Sequence, residues 1–343
     1  VAEFQLPLSM VSTTCGQPFG IALYHQDIND NGVTYGVPTR IGPQFPNTWV
    51  QATLDRPNCP IRVCKAGTRV CAPASNATVF DANSDTAYAV DVDGYVQNRS
   101  QILDGTPLWA VLPVEQTTNF TRYDTSGDPL FVGAASVDAG ETVLIVTPQR
   151  PLQVQNLTLS SEWYVEGDAA KKAWLEGQLQ AASNYLYKFS NRQFALGTVT
   201  IQQSFDGWSD SQVRLHLNNV FQPRAVIGGI VPTTTIDPSP AITITYNPGK
   251  INIGSYWNRY GKPPGQEIIV NGSPVLPSTI QDDWALAMAH ELSHYLLYLF
   301  DTYVDLNGQQ TDSCVGSAMG DTYNPLNHGY IFSPDLWEAN CKE

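Results

Sequence analysis

The stretch Ser278-Thr-Ile-Gln-Asp-Asp-Trp-Ala-Leu-Ala-Met-Ala-His290-Glu291-Leu-Ser-His294-Tyr-Leu-Leu297 decides how the C-terminal half of this 343-residue chain folds. Ile280, Trp284, Leu286, Ala287 and Ala289 recur at helical spacing, so one long helix is expected over 278–297. His290 and His294 are four residues apart, which on a helix sets both imidazoles on one face, one turn from each other. A zinc ion takes neutral imidazole nitrogens at about 2 Å, and this spacing supplies two of them. Glu291 then lies beside the position that such an ion leaves open, where a carboxylate can take a proton from water. The chain holds only five histidines, so two of them falling by chance into His-Glu-x-x-His is a rare coincidence.

A catalytic zinc usually has three protein ligands, and the downstream candidates for the third are Asp301, Asp305, Asp312, Asp321, His328 and Glu338. The run from His290 to Asp301-Thr-Tyr303 resembles the metal segment of the calcium-activated chloride channel regulator proteins, metzincin-like self-cleaving proteases with a His-Glu-x-x-His-x-x-x-Gly-x-x-Asp pattern. His290, Glu291, His294, Phe300, Asp301 and Tyr303 fall on the positions of that pattern. The resemblance implies a zinc-dependent endopeptidase with His290, His294 and Asp301 as ligands and Glu291 as general base. Cys314-Val-Gly-Ser-Ala-Met319 is similar to the metzincin Met-turn, which would set Met319 beneath the metal, and Tyr323 beyond it could donate to an oxyanion. The chain departs from the pattern at Tyr298, which stands where the family has Gly. An unbroken helix would carry Asp301 about 10 Å along the axis from His294, out of reach of a shared ion, so the chain must turn near 297–299. Asp321 (an aspzincin-like arrangement) and Glu338 (a gluzincin-like one) stay open as alternatives.

Upstream, Ala170, Trp174, Leu175, Leu179, Ala182, Tyr185 and Leu186 predict a helix over 167–190. Strands are expected at 195–202, 225–231, 241–246 and 250–256. Residues 156–343 therefore read as an α+β domain, the metzincin-like domain that the resemblance implies. Residues 1–155 read differently. Short apolar runs such as 19–24, 48–53, 87–92, 108–114 and 143–146 alternate with Gly, Pro, Asn and Asp clusters, the pattern of all-β sandwich modules. The expected organisation is multidomain: a β-module over 1–56, a β-sandwich over 57–155, and the α+β domain. In the first module Asp27, Asn29 and Asn31, followed by Gly32, place oxygen ligands at alternate positions before a sharp turn, as a Ca2+ loop does. No Glu stands at the twelfth position, and Asn-Gly is also a hairpin turn signal. Residues 24–36 are loosely similar to the opening of bacterial surface β-modules of the carboxypeptidase-regulatory or Cna-B type.

A formal net charge of −14 argues against nucleic acid and anionic membranes as partners, and the protein or peptide substrate is what the metallopeptidase resemblance implies. No apolar run reaches the roughly 18 residues of a membrane-spanning helix. The six cysteines, Cys15, Cys59, Cys64, Cys71, Cys314 and Cys341, are even in number and include no Cys-x-x-Cys pair, which favours disulfides over a zinc knuckle. With sequons at Asn76, Asn98, Asn119, Asn156 and Asn271, they suggest an extracellular, secreted or cell-surface protein. The start at Val1-Ala2-Glu3-Phe4 reads as a mature or trimmed terminus. The rival expectation is a cell-surface binding protein that keeps a structural zinc and has lost turnover.

Overall fold

The computed structural model describes residues 18–21, 23–27, 33–37, 50–53, 60–67, 71–84, 86–103, 105–132, 142–219, 221–239, 242–262, 266–302 and 316–324. Contacts divide the chain into two compact units, Val1–Val114 with Tyr123–Pro151, and Glu115–Arg122 with Leu152–Glu343.

The described parts of the first unit are strands and turns with one 3-10 turn at Arg99–Gln101. β1 (Pro18–Ile21), β2 (Leu23–Asp27), β3 (Val33–Val37) and β4 (Val50–Thr53) form two antiparallel pairs, β1 with β4 and β2 with β3. Next come β5 (Ile61–Lys65), β6 (Ala72–Pro73), β7 (Thr78–Asp81), β8 (Ala87–Ala89), β9 (Pro107–Gln116), β10 (Phe120–Thr125) and β11 (Leu130–Phe131). β7 pairs antiparallel with β8 and β9, and β11 with β9. β12 (Thr142–Ser161) begins in this unit, where Thr142 to Val146 run parallel to β5. Alternate residues point inward, as the two-residue period of a strand requires. Ile61 and Val63 of β5, Leu108, Ala110 and Leu112 of β9, and Leu144 and Val146 of β12 form one buried cluster. A disulfide joins Cys64 to Cys71, with Cα atoms 5.2 Å apart, and closes the loop from β5 to β6. Cys15, Cys59, Cys314 and Cys341 lie outside the described residues.

In the second unit β12 continues through Ser161 and is followed by α1 (Ala169–Phe189), β13 (Phe194–Gln202), β14 (Val213–His216) and β15 (Arg224–Ala225). Then come β16 (Thr234–Ser239), β17 (Ile242–Tyr246), β18 (Ile251–Gly254), β19 (Ile269–Val270), β20 (Ser273–Pro274), α2 (Pro277–Ile280) and α3 (Asp283–Leu297). The strands line up as β13-β12-β14-β18-β15; the first four are parallel, and β15 is an antiparallel edge. Parallel neighbours need long crossovers, and α1 supplies the one from β12 to β13. Asp168 caps α1 by accepting the Lys171 N–H at 3.0 Å.

Leu157 and Leu159 of β12, Val213 and Leu215 of β14, and Ile251 and Ile253 of β18 meet Leu175, Leu179, Ala182 and Leu186 of α1 in one core. Trp284, Met288, Leu292 and Tyr295 of α3 complete it. At roughly 1.5–3 kcal/mol for each large apolar side chain, this packing is what holds α3 in place. Every residue of α3 from Asp283 to Leu296 is buried, so α3 is covered on all sides rather than along one face. Among the described residues no helix is long and apolar enough to cross a membrane.

Two local expectations need correction. The helix expected over 278–297 is two helices, broken at Gln281 and Asp282, whose polar atoms are held by α1: Gln178 Nε2 donates to the Gln281 carbonyl at 3.0 Å, and the Tyr185 hydroxyl to Asp282 at 3.3 Å. Of the strand expected over 225–231 only Ala225 lies in the sheet, as the second residue of β15; Gly228, at φ +64°, turns the chain away.

Asp283 is 1% exposed in the first turn of α3. Arg259 donates to its carboxylate from Nε at 3.0 and 3.1 Å and from Nη2 at 2.6 Å, and the Arg259 N–H adds a bond at 2.9 Å. Leaving this carboxylate buried without its cation should cost about 3–5 kcal/mol. Arg259→Met is therefore expected to lower the urea midpoint sharply, and a midpoint close to wild type would show that Asp283 does not depend on Arg259.

Candidate metal centre

The site is built on the last two turns of α3. The helix stops at Leu297, and Tyr298 takes a left-handed conformation at φ 60°, ψ 24°. This is the turn that Asp301 needs in order to come back to the histidines. The freed carbonyls of the last turn are met by the segment after β15: the Gly228 N–H donates to the His294 carbonyl at 2.9 Å, and the Ile230 N–H to the Tyr295 carbonyl at 3.3 Å. Glycines allow so close an approach; a Cβ on Gly228 would lie 2.3 Å from the Tyr298 ring, and one on Gly229 2.7 Å from the Tyr295 ring.

His290, His294 and Asp301 are brought together as a group that could hold a metal ion. The His290 and His294 Nε2 atoms are 3.1 Å apart, and Asp301 Oδ1 lies 3.0 Å from the first and 3.1 Å from the second. Three ligands about 2.0–2.1 Å from a tetrahedral ion would stand about 3.3 Å apart, so only a slight opening seats one. Two imidazoles in so narrow a set do not suit Ca2+, which takes oxygen ligands at longer distances.

The outer ring nitrogens fix the tautomers. His290 Nδ1 lies 3.0 Å from the Ala318 carbonyl and His294 Nδ1 2.6 Å from the Leu299 carbonyl. A carbonyl can only accept, so each Nδ1 carries a proton, and each neutral ring turns an Nε2 lone pair toward Asp301. Three electron-rich atoms facing one point repel each other unless a cation or a proton sits among them. Burial works against a charged His294, but the Asp301 and Leu299 contacts prevail and raise its pKa. Burial likewise disfavours the Asp301 carboxylate, and its contacts with the two imidazoles, attractive once a proton sits between them, outweigh it and hold its pKa below the usual range.

Glu291 is buried, 6% exposed. Burial raises its pKa, against the pull of His290 and His294 and a hydrogen bond from the Ala225 backbone of β15. The floor of the site is the segment 316–324. Ala318 holds His290 as described, and the Met319 carbonyl accepts the Thr302 N–H at 2.9 Å, which fixes the residue next to Asp301. Met319 itself is 2% exposed. The Tyr323 hydroxyl accepts from Trp257 Nε1 at 2.6 Å, its ring lies under Arg259, and burial pushes its pKa up to about 12. Asp321 is exposed and accepts the Tyr323 N–H at 3.0 Å, so Asp301 and not Asp321 reaches the histidines. Glu338, Asp305, Asp312, His328, Tyr303, Asn29 and Asn31 lie outside the described residues, and of the possible Ca2+ loop only the backbone of Asp27, paired with Val33, is described.

No family model matches the chain, and no curated protein sequence matches it.

Sequence reasoning did not anticipate Ala225, the caps at Gly228 and Ile230, or the carbonyls of Ala318 and Leu299. All are backbone groups, and backbone hydrogen bonding leaves no residue-type signal. The Gly228-Gly229 pair was the one visible hint of a close backbone approach.

Asp301→Ala should weaken zinc binding by about tenfold or more, as loss of one of three ligands implies, while Asp321→Ala leaves it unchanged. Competition with a chromogenic chelator would measure both, and equal affinities for Asp301→Ala and wild type would remove Asp301 from the group. The pH dependence follows from the same contacts. In the metal-free protein the raised His294 pKa contributes stability that is full below about pH 6.5 and fades as pH rises through its folded value. The lowered Asp301 pKa contributes above about pH 4 and is lost as pH falls toward its folded value. A metal needs His294 neutral, so it displaces that proton. The zinc-induced rise in melting temperature should therefore grow from about pH 5.5 to pH 8; a shift independent of pH would exclude proton displacement.

Proposed function

We propose that the chain is an extracellular zinc-dependent endopeptidase in which His290, His294 and Asp301 hold the ion and Glu291 is the general base. The observation that carries it is Glu291: a buried carboxylate, raised in pKa, one residue from His290 and electrostatically coupled to all three candidate ligands. Holding a metal does not require such a group, whereas hydrolysis does. Zinc, when bound, supplies Lewis acidity that makes water acidic near neutral pH and polarises a substrate carbonyl. Glu291 takes the proton from the attacking water on a carboxylate oxygen and delivers it to the leaving amide nitrogen. Burial raises its pKa, which favours its carrying that proton between the two transfers.

Several features support a peptide as the substrate. β15, which carries Ala225, is an edge of the sheet, and an extended chain can lie along such an edge by main-chain hydrogen bonding. Two histidines and a carboxylate also form the ligand set of ferrous oxygenases, but those have no use for a buried general base. The resemblance to the calcium-activated chloride channel regulator proteins is supported by Tyr298: at the position of the family's Gly it adopts the left-handed conformation for which Gly is normally used. A structural zinc site, as in the rival binding-protein function, is closed by four protein ligands, and the group among the described residues has three. The Cys64–Cys71 disulfide suits an oxidising, extracellular setting.

Glu291→Gln in the full chain should leave zinc content unchanged and lower casein hydrolysis by about a hundredfold or more, the scale of a general base. Near-normal turnover in that variant would end the assignment.

A further inference from the structure

Between β15 and β18 the chain makes a β-hairpin, β16 with β17, in which residues Thr234 to Asp237 and Ile242 to Tyr246 are exposed. Thr234 faces Tyr246, Thr235 faces Thr245, and Ile236 faces Ile244. The two-residue period collects Ile236, Ile242, Ile244 and Tyr246 on one face, with Thr235, Thr243 and Thr245 on the other. The four apolar residues are 48%, 54%, 39% and 51% exposed, respectively. A lone two-stranded hairpin is marginally stable in water, and a contiguous apolar face that stays exposed marks a contact surface.

The hairpin's root shows what it serves. Its base closes where the Gly249 N–H donates to the Gly229 carbonyl at 2.9 Å. The neighbouring Gly228 caps the His294 carbonyl, and the Ala225 backbone, three residues earlier, lies beside the Glu291 carboxyl. One continuous segment, residues 224–251, thus supplies the edge strand, the support for the general base, the cap of the metal-bearing helix and the exposed hairpin. The hairpin's single charged residue is Asp237, so its face offers nothing to an anionic ligand, and the net charge of −14 disfavours anionic lipid. From this continuity and chemistry we infer that β16 and β17 form a docking arm for aliphatic side chains of the polypeptide bound at the metal centre, beyond the bond that is cut. The inference rests on the proposed peptidase function.

The test uses the full chain carrying Glu291→Gln, so that binding is read without cleavage. The probes are fluorescein-labelled unfolded polypeptides, one rich in Val, Ile and Leu and a matched one with Ser at those positions. The aliphatic probe should bind at least about tenfold more tightly by anisotropy, the scale of burying two methylene-rich side chains. Adding Ile242→Thr with Ile244→Thr, which keeps β propensity, should erase that preference, and Ile236→Thr on the facing strand should reduce it. Circular dichroism and an unchanged melting temperature would show that the variants fold. A preference that survives in both variants overturns the docking arm. So does a Glu291→Gln protein that is dimeric by light scattering and becomes monomeric with the hairpin substitutions, since a second copy would then cover the face. Failure of the peptidase function looks different: the chain with Glu291 intact binds the aliphatic probe with the hairpin-dependent preference and does not cut it.

Discussion

The site depends on α3 ending at Leu297. Had the helix continued, Asp301 would stand about 10 Å along the axis from His294. The stop places Tyr298 in the left-handed region, which costs a non-glycine residue on the order of 1 kcal/mol. Three contacts offset that strain: the Gly228 and Ile230 N–H groups meet the freed carbonyls, and the Leu299 carbonyl accepts from His294. The last contact binds the turn and the ligand together, because the bond that orients the imidazole also holds the chain in its bend. An ion at the three ligand atoms would add to this, since it binds the bent chain and not a straight helix.

Burial of α3 on all sides sets a second constraint. A helix with Asp283, His290, Glu291, Ser293 and His294 away from water must give each polar group a partner, or lose several kcal/mol for every charge left bare. Two of the partners come from distant parts of the sequence, Arg259 for Asp283 and Ala318 for His290, and one from just beyond the helix, Leu299 for His294; the Ala225 backbone lies beside Glu291. Ser293 bonds the Ala289 carbonyl within the helix. The segments 224–231, 257–259 and 316–324 are therefore positioned by the helix they cover. Apolar packing fixes where α3 lies, and these bonds fix which backbone surrounds the metal group.

This division explains what could be read from the sequence. Helical periodicity located α1 to within two residues at either end, and the four-residue spacing of the histidines with Asp301 seven beyond required a turn where one is found. Alternation located β13, β17 and β18. The break at Gln281 and Asp282 was not legible, because it is held by Gln178 and Tyr185, about a hundred residues away in the chain, and neither changes the local pattern. Nor was β16, since Thr234 to Ser239 includes Pro238 and reads as a loop until it is paired with β17. The strand expected over 225–231 failed for a local reason: the apolar run was legible, but Gly228-Gly229 was not weighed as a turn.

The segment 224–251 carries the last step. Catalysis and recognition often sit on different loops, whose relative position any motion can disturb. Here the Ala225 backbone beside Glu291 and the Gly228 N–H on the last turn of α3 are three residues apart, and the hairpin rises from the same turn. The turn at Gly228-Gly229 is closed from one side by Gly249 and from the other by the end of α3. Glycines at all three positions keep these backbones in contact, because a Cβ at any of them would fall within 2.9 Å of a neighbouring atom. The root of the hairpin, the end of α3 and the backbone beside Glu291 are thereby tied together through backbone alone.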